Sequence, residues 1–115
     1  MRIIVYGSLR RKQGNSHWMT NAQWLGDHRL DGYQLYDLGH YPAAVAGEGD
    51  IYCEVYRISS SILTELDELK LRGGAYSREL IATPYGSAWI YLYQRPVAGL
   101  HRIVSGDWVQ RQEEP

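Results

Sequence analysis

Near the N-terminus the run Arg2-Ile3-Ile4-Val5-Tyr6 is apolar and rich in β-branched side chains, and Gly7-Ser8 stops it abruptly. Such a run is too short for a core helix and is not divided into an apolar and a polar face. It predicts a strand covered on both sides, which requires a sheet with structure packed on each face. The strand must therefore be central, and the turn after it lies where a cavity can form. Gly7 and Ser8 there can present consecutive backbone N–H groups, a concavity that holds a carboxylate or phosphate without a charged side chain. Most strand-Gly-Ser turns are only turns, so this pattern alone does not separate the two readings.

Further along, residues 9–18 are polar and basic, with Arg10-Arg11-Lys12 and Gly14-Asn15-Ser16, and read as a loop leading into one or two helical turns around Trp18 to Trp24. Partial alternation over residues 25–38, interrupted at Gly32, predicts a strand or a bulged pair of strands. Gly39-His40-Tyr41-Pro42 is a loop by composition, and Gly47-Glu48-Gly49-Asp50 reads as a turn. Residues 51–58 place Ile51, Cys53 and Val55 on one face and Tyr52, Tyr56 and Ile58 on the other, a strand with both faces partly covered. Three serines precede a helix whose Ile62, Leu66 and Leu69 share a face, and Gly73-Gly74 closes it. Residues 77–83 and 88–93 predict a hairpin around Pro84-Tyr85-Gly86-Ser87. Ser105 reads as the cap of a last helical turn, with a frayed tail over 110–115.

About six strands and one clear helix imply an α+β fold, a curled mixed sheet or small barrel, with all-β plus a decorating helix as the alternative. The length of 115 residues suits one domain over 1–115, with no repeat or linker to divide it. Twelve Lys and Arg against thirteen Asp and Glu leave no field that would draw the chain to nucleic acid or an anionic membrane. A solvated loop is the default for Arg10-Arg11-Lys12, and an anionic ligand tail its alternative partner. One cysteine cannot form an internal disulfide, and no apolar run has the length of a membrane span, which points to a reducing, cytosolic (cytoplasmic) setting. The four histidines at 17, 28, 40 and 101 are scattered and predict no metal site. Ten Tyr and four Trp with no Phe mean that every aromatic carries a polar group suited to pocket walls as well as cores.

In order along the chain, Val5-Tyr6-Gly7-Ser8-Leu9-Arg10, Tyr41-Pro42-Ala43, Glu54-Val55-Tyr56, Leu66-Asp67 with Tyr76 and Arg78, and the stretch from Ile103 through Ser105-Gly106-Asp107-Trp108 resemble the γ-glutamylcyclotransferase-like family, in particular its small bacterial YtfP-like branch. The resemblance spans nearly the whole chain. It implies a mixed α/β fold in which a small barrel and a few helices enclose one cavity. It also implies a substrate-binding loop at Tyr6, Gly7, Ser8 and Leu9. In active relatives the α-amine of a γ-glutamyl group attacks its own side-chain carbonyl, releasing an amine or amino acid and leaving 5-oxoproline. That reaction uses no metal, no cofactor and no covalent enzyme intermediate.

Its chemistry needs donors for the α-carboxylate and the developing oxyanion, and a base for the α-ammonium. The resemblance puts the base three residues after Asp67, where this chain has Lys70. A lysine with its ordinary pKa of about 10.4 is a poor base at neutral pH unless burial depresses it. Three carboxylates stand as candidate substitutes, Glu68, Glu54 and Glu79. Glu68 would need a local shift after Leu69, and is otherwise a solvated helix residue. Glu54 lies within an apolar strand, which suits proton transfer, and would otherwise pair with an arginine such as Arg78. Glu79 is expected to face away, Ser8 to donate a hydrogen bond rather than act as nucleophile, and Cys53 to be a small core residue. Tyr91 and Tyr93 share a strand face, which by the resemblance can bring one of them to the cavity. Two readings stay open: an enzyme that cyclises a γ-glutamyl amine, and a small-molecule binding or regulatory protein that keeps the loop and lacks the base. The sequence leaves the oligomeric state open.

Overall fold

A computed structural model describes residues 1–113. Six strands, β1 (Arg2–Val5), β2 (Gln23–Asp37), β3 (Pro42–Arg57), β4 (Tyr76–Ile81), β5 (Ala88–Tyr93) and β6 (His101–Arg102), join in one mixed sheet of order β4-β5-β1-β3-β2-β6. The sheet curls into a half-barrel with one α-helix, α1 (Ser60–Lys70), packed beside it. β1 runs antiparallel to β3 and parallel to β5, so it is flanked on both sides.

The alternation of β1 builds two cores. Ile4 and Tyr6 enter a cluster inside the half-barrel with Leu35, Ile51, Cys53, Val55, Ile90 and Trp108. Ile3 and Val5 enter a second cluster, on the α1 side, with Ile58, Leu63, Leu66, Tyr76 and Tyr91. Period-two side-chain direction in a doubly covered strand produces this division. Cys53 is a core residue whose thiol donates to the carbonyl of His28, and burial pushes its pKa up to about 12.

Local chemistry accounts for most element ends, with several departures from expectation. The segment expected to be a strand or a strand pair is one long strand, β2, whose pairing with β3 slips between Trp24 and Gly26 and again between Asp31 and Tyr33. Gly32, at φ 90°, supplies the backbone of the second bulge. Gly47-Glu48-Gly49-Asp50, expected as a turn, lies inside β3 instead. The turn preference survives locally as the bulge itself: the register passes from Asp31 with Asp50 to Tyr33 with Ala46, leaving Gly47, Glu48 and Gly49 opposite Gly32 alone, and pairing resumes on either side. Only a 3-10 helix, Ser16–Met19, forms where one or two helical turns were expected. Ser59 caps α1 by accepting from the Ile62 N–H at 3.3 Å, and Ser60 and Ser61 lie within the helix. The last turn of helix, Trp108–Glu113, is a 3-10 segment capped by Asp107, whose Oδ1 accepts from the Val109 N–H at 3.0 Å; Ser105 Oγ instead accepts from Asp107 N–H. Part of the tail expected to fray is thus in that segment, and residues 114 and 115 lie outside those described. Among the described residues no helix is long and apolar enough to cross a membrane.

Candidate functional site

At the end of β1, Tyr6-Gly7-Ser8-Leu9 forms the floor of a recess of about 20 Å³, walled by Pro42, Tyr91 and Lys70. Two of these walls, Pro42 and Tyr91, are held by hydrogen bonds. Tyr6 donates its hydroxyl proton to the Tyr91 carbonyl, and Tyr76 donates to the Pro42 carbonyl at 2.7 Å. Pro42 packs so closely on Gly7 that a Cβ there would collide with its ring, so only glycine fits the turn. Ser8 is 6 % exposed, and its Oγ accepts from Asn15 Nδ2 at 3.1 Å, leaving its own proton to donate.

Hydrogen bonding in the turn consumes carbonyls. Arg10 N–H donates to the Gly7 carbonyl and Asn15 N–H to the Ser8 carbonyl, so the amides of Ser8 and Leu9 remain as donors for a guest. A recess of this volume admits one small group, about the size of a water. A larger cleft of about 420 Å³ adjoins it, lined by Asn15, Tyr41, Lys70, Arg72, Tyr76, Tyr93 and Arg95 among others. Lys70 borders both spaces.

Asp67 explains how Lys70 reaches that position. Its Oδ1 accepts from Arg78 Nε at 2.9 Å and from the Tyr91 hydroxyl at 2.8 Å, which ties the end of α1 to β4 and β5. Residues i and i+3 share a helix face, so Lys70 follows one turn later over the recess. Its ammonium is half-buried, 5.6 Å from the Tyr41 ring centroid and 5.5 Å from that of Tyr76. Burial lowers its pKa to about 8. Burial, and then donation to Asp67, raises the Tyr91 pKa, so this hydroxyl stays protonated.

The carboxylates considered as substitutes are elsewhere. Glu54 is 2 % exposed and accepts from Arg10 Nε at 3.1 Å, Arg11 N–H at 3.0 Å and Tyr56 Oη at 2.8 Å. It borders a separate hollow with Arg10, Arg11, Lys12 and Val109. It pairs with Arg10 rather than Arg78, because Arg78 is taken by Asp67. Arg10 also reaches Asp107 at 2.8 Å, and Arg11 reaches Asp27 at 3.0 Å, so these two arginines are engaged within the fold rather than simply solvated. Glu68 is exposed on α1, which runs unbroken through Lys70, and lines neither space. Glu79 is likewise exposed. Among the described residues, no Asp or Glu side chain lines the recess or the cleft, and no group of three or more His, Cys, Asp or Glu residues is placed to hold a metal ion.

Sequence reasoning placed Tyr6, Gly7, Ser8 and Leu9 at the recess, named Lys70 as the residue at the base position, and raised Tyr91 and Tyr93, which line recess and cleft respectively. It missed Asn15, Arg72 and Arg95. The Lys70-x-Arg72 spacing at the end of a helix was the available signal, and nothing in the sequence connects it to Arg95.

This architecture is shared. The model of the family described as "Gamma-glutamyl cyclotransferase, AIG2-like" matches residues 3–110. A protein of Escherichia coli K12 described as "Gamma-glutamylcyclotransferase family protein YtfP" is 67% identical over 113 residues, covering 98% of this chain and 100% of its own. The solution NMR structure of the ytfP protein from Escherichia coli superposes with a TM-score of 0.82 at 68% identity, over 97% of this chain and 99% of that one. A crystal structure of an uncharacterised protein from Pyrococcus horikoshii gives a TM-score of 0.88 at 31% identity, over 98% and 93%. A match that runs from β1 to the last helical segment, on the same half-barrel, makes this chain a member of the gamma-glutamyl cyclotransferase, AIG2-like family.

Proposed function

We propose that the chain binds a small γ-glutamyl compound, an amine or amino acid conjugate, with a carboxylate on the Ser8 and Leu9 amides, and that it does not cyclise it by a carboxylate base. The observation that carries this reading is Lys70. A cation occupies the wall at the position to which the family resemblance assigns the proton acceptor, and no acid lines either space among the described residues. The amides, the Ser8 hydroxyl and the polar rims of Tyr41, Tyr76 and Tyr93 supply binding without proton transfer.

One observation favours a second reading. With its pKa lowered to about 8, Lys70 is partly neutral in mildly alkaline solution and can then accept the α-ammonium proton. The freed amine would attack the side-chain carbonyl, the C–N bond to the departing amine would break, and the proton would pass to that amine. Products are 5-oxoproline and a free amine or amino acid.

Thermal shift against γ-glutamyl compounds, with 5-oxoproline measured for the native chain, Lys70→Glu and Lys70→Met, tests both. Binding without turnover in the native chain, and turnover in Lys70→Glu, supports the binding reading. Native turnover that rises through pH 8 and vanishes in Lys70→Met supports the second. Absence of both binding and turnover in all three overturns the ligand class.

A further inference from the structure

The cleft beside the recess has a charge that the recess chemistry does not require. Lys70, Arg72 and Arg95 line it together, and among the described residues none of the three has a carboxylate partner. The other arginines near the turn behave differently: Arg10, Arg11 and Arg78 each hold an acid. Arg95 is fixed by donation from Nη2 to the Gly73 carbonyl at 2.8 Å, which leaves its other donors available. Lys70 is held over two tyrosine rings in a partly desolvated position, where charge interactions are less screened than at the surface. Lys70 is half-buried and Arg72 and Arg95 are exposed at the rim, so an anion entering this concavity meets three cations of which one is partly desolvated.

We propose that this cleft is an anion subsite, so that the ligand carries two acidic groups: one carboxylate on the Ser8 and Leu9 amides, and a second anionic group received by Lys70, Arg72 and Arg95. This deepens the γ-glutamyl reading and rests on it. Among γ-glutamyl compounds it selects conjugates of amino acids, whose released part has its own carboxylate, over conjugates of simple amines. Tyr41, Tyr76 and Tyr93 flank the space between the two anion positions and suit the uncharged linker. The same cations disfavour a ligand with an ammonium directed into the cleft.

A matched pair tests it: γ-glutamylglycine and γ-glutamyl methylamide, which differ in the distal carboxylate, titrated calorimetrically at low salt and at 0.5 M salt. The glycine conjugate is expected to bind about 10-fold more tightly, a ratio worth about 1.4 kcal/mol, with the advantage shrinking in high salt. In Arg72→Gln/Arg95→Gln the ratio falls towards one, and Arg72→Lys/Arg95→Lys retains most of it, which separates charge from the anchoring of residue 73. Equal affinities for the pair, or a ratio unchanged in the double glutamine variant, overturn the subsite. Glutarate and its monomethyl ester form a second arm. Preference for the diacid there, with no binding of either γ-glutamyl compound, would keep the anion subsite and sink the γ-glutamyl reading, whereas no binding in either arm sinks both.

Discussion

Lys70 combines a charge, a partly buried position and, among the described residues, no carboxylate ion-pair partner, and each has a measurable consequence. The groups facing it are the Tyr41 and Tyr76 rings, with Arg72 and Arg95 lining the same cleft and no Asp or Glu among the described lining residues. The folded chain releases its proton near pH 8, while the unfolded chain holds it to about 10.4. Between those values the unfolded state binds more protons, so this residue makes stability rise with pH across that window. Lys70→Met is therefore expected to be more stable than the native chain at pH 7, with the gap narrowing by pH 9.5 in urea titrations. A gap that widens with pH would contradict the burial described. Glu54 makes the opposite kind of contribution. It neutralises Arg10 and receives the Arg11 amide, which fixes the segment following the Tyr6-Gly7-Ser8-Leu9 turn. Glu54→Ala leaves Arg10 with Asp107 alone and is expected to cost about 3 kcal/mol, read by denaturant unfolding. Ligand affinity in that variant should fall as well, because residues 10 and 11 adjoin the recess floor. At Gly7 a methyl group meets the Pro42 ring, so Gly7→Ala is expected to abolish ligand-induced thermal shift even where the variant still folds.

The helix α1 acts as an arm that delivers its last residue. Its first turn is capped by Ser59, its apolar face buries Ile62, Leu63 and Leu66, and Asp67 locks its end to Arg78 and Tyr91. The basic residue in the final turn also suits the negative end of the helix dipole. Two substitutions separate formation of the helix from its docking. Ser59→Ala removes the cap and is expected to lower stability by about 1 kcal/mol with little change in ligand affinity. Asp67→Asn keeps the shape while removing the charge that orients Arg78, and is expected to weaken ligand binding through a displaced Lys70. Calorimetry beside urea unfolding distinguishes the two, and equal effects of both substitutions on binding would argue against the docking role. The helix itself was readable from Ile62, Leu66 and the serines before it, and the β4–β5 hairpin from the Pro-Tyr-Gly-Ser turn. The extents of β2 and β3 were not, because the glycines that signal turns form a bulge, Gly32 opposite Gly47-Glu48-Gly49, beyond which the same two strands pair again.

Across the whole molecule, β1 is the strand on which both cores depend, flanked by β3 and β5 and covered on each face. Hydrogen exchange is expected to be slowest in β1, β3 and β5 and fastest in the two-residue β6, whose register with β2 is Tyr36 with Arg102 and Asp37 with His101. Ligand binding should slow exchange at Ser8 and Leu9 before it affects β6. The apolar run after Met1, stopped by Gly7-Ser8, was sufficient by itself to fix a central strand and a turn at its end, because apolar β-branched periodicity and glycine are local signals. The ordered motifs were sufficient to indicate the half-barrel family. The identity of the residues at position 70 and position 54 was equally plain, but not their surroundings. Only the tertiary structure turned Glu54 towards Arg10, left Glu68 in solvent, and set Lys70, Arg72 and Arg95 around one cleft. Those outcomes depend on which long-range partners compete for each charge, and that competition is decided when the strands and α1 are packed together.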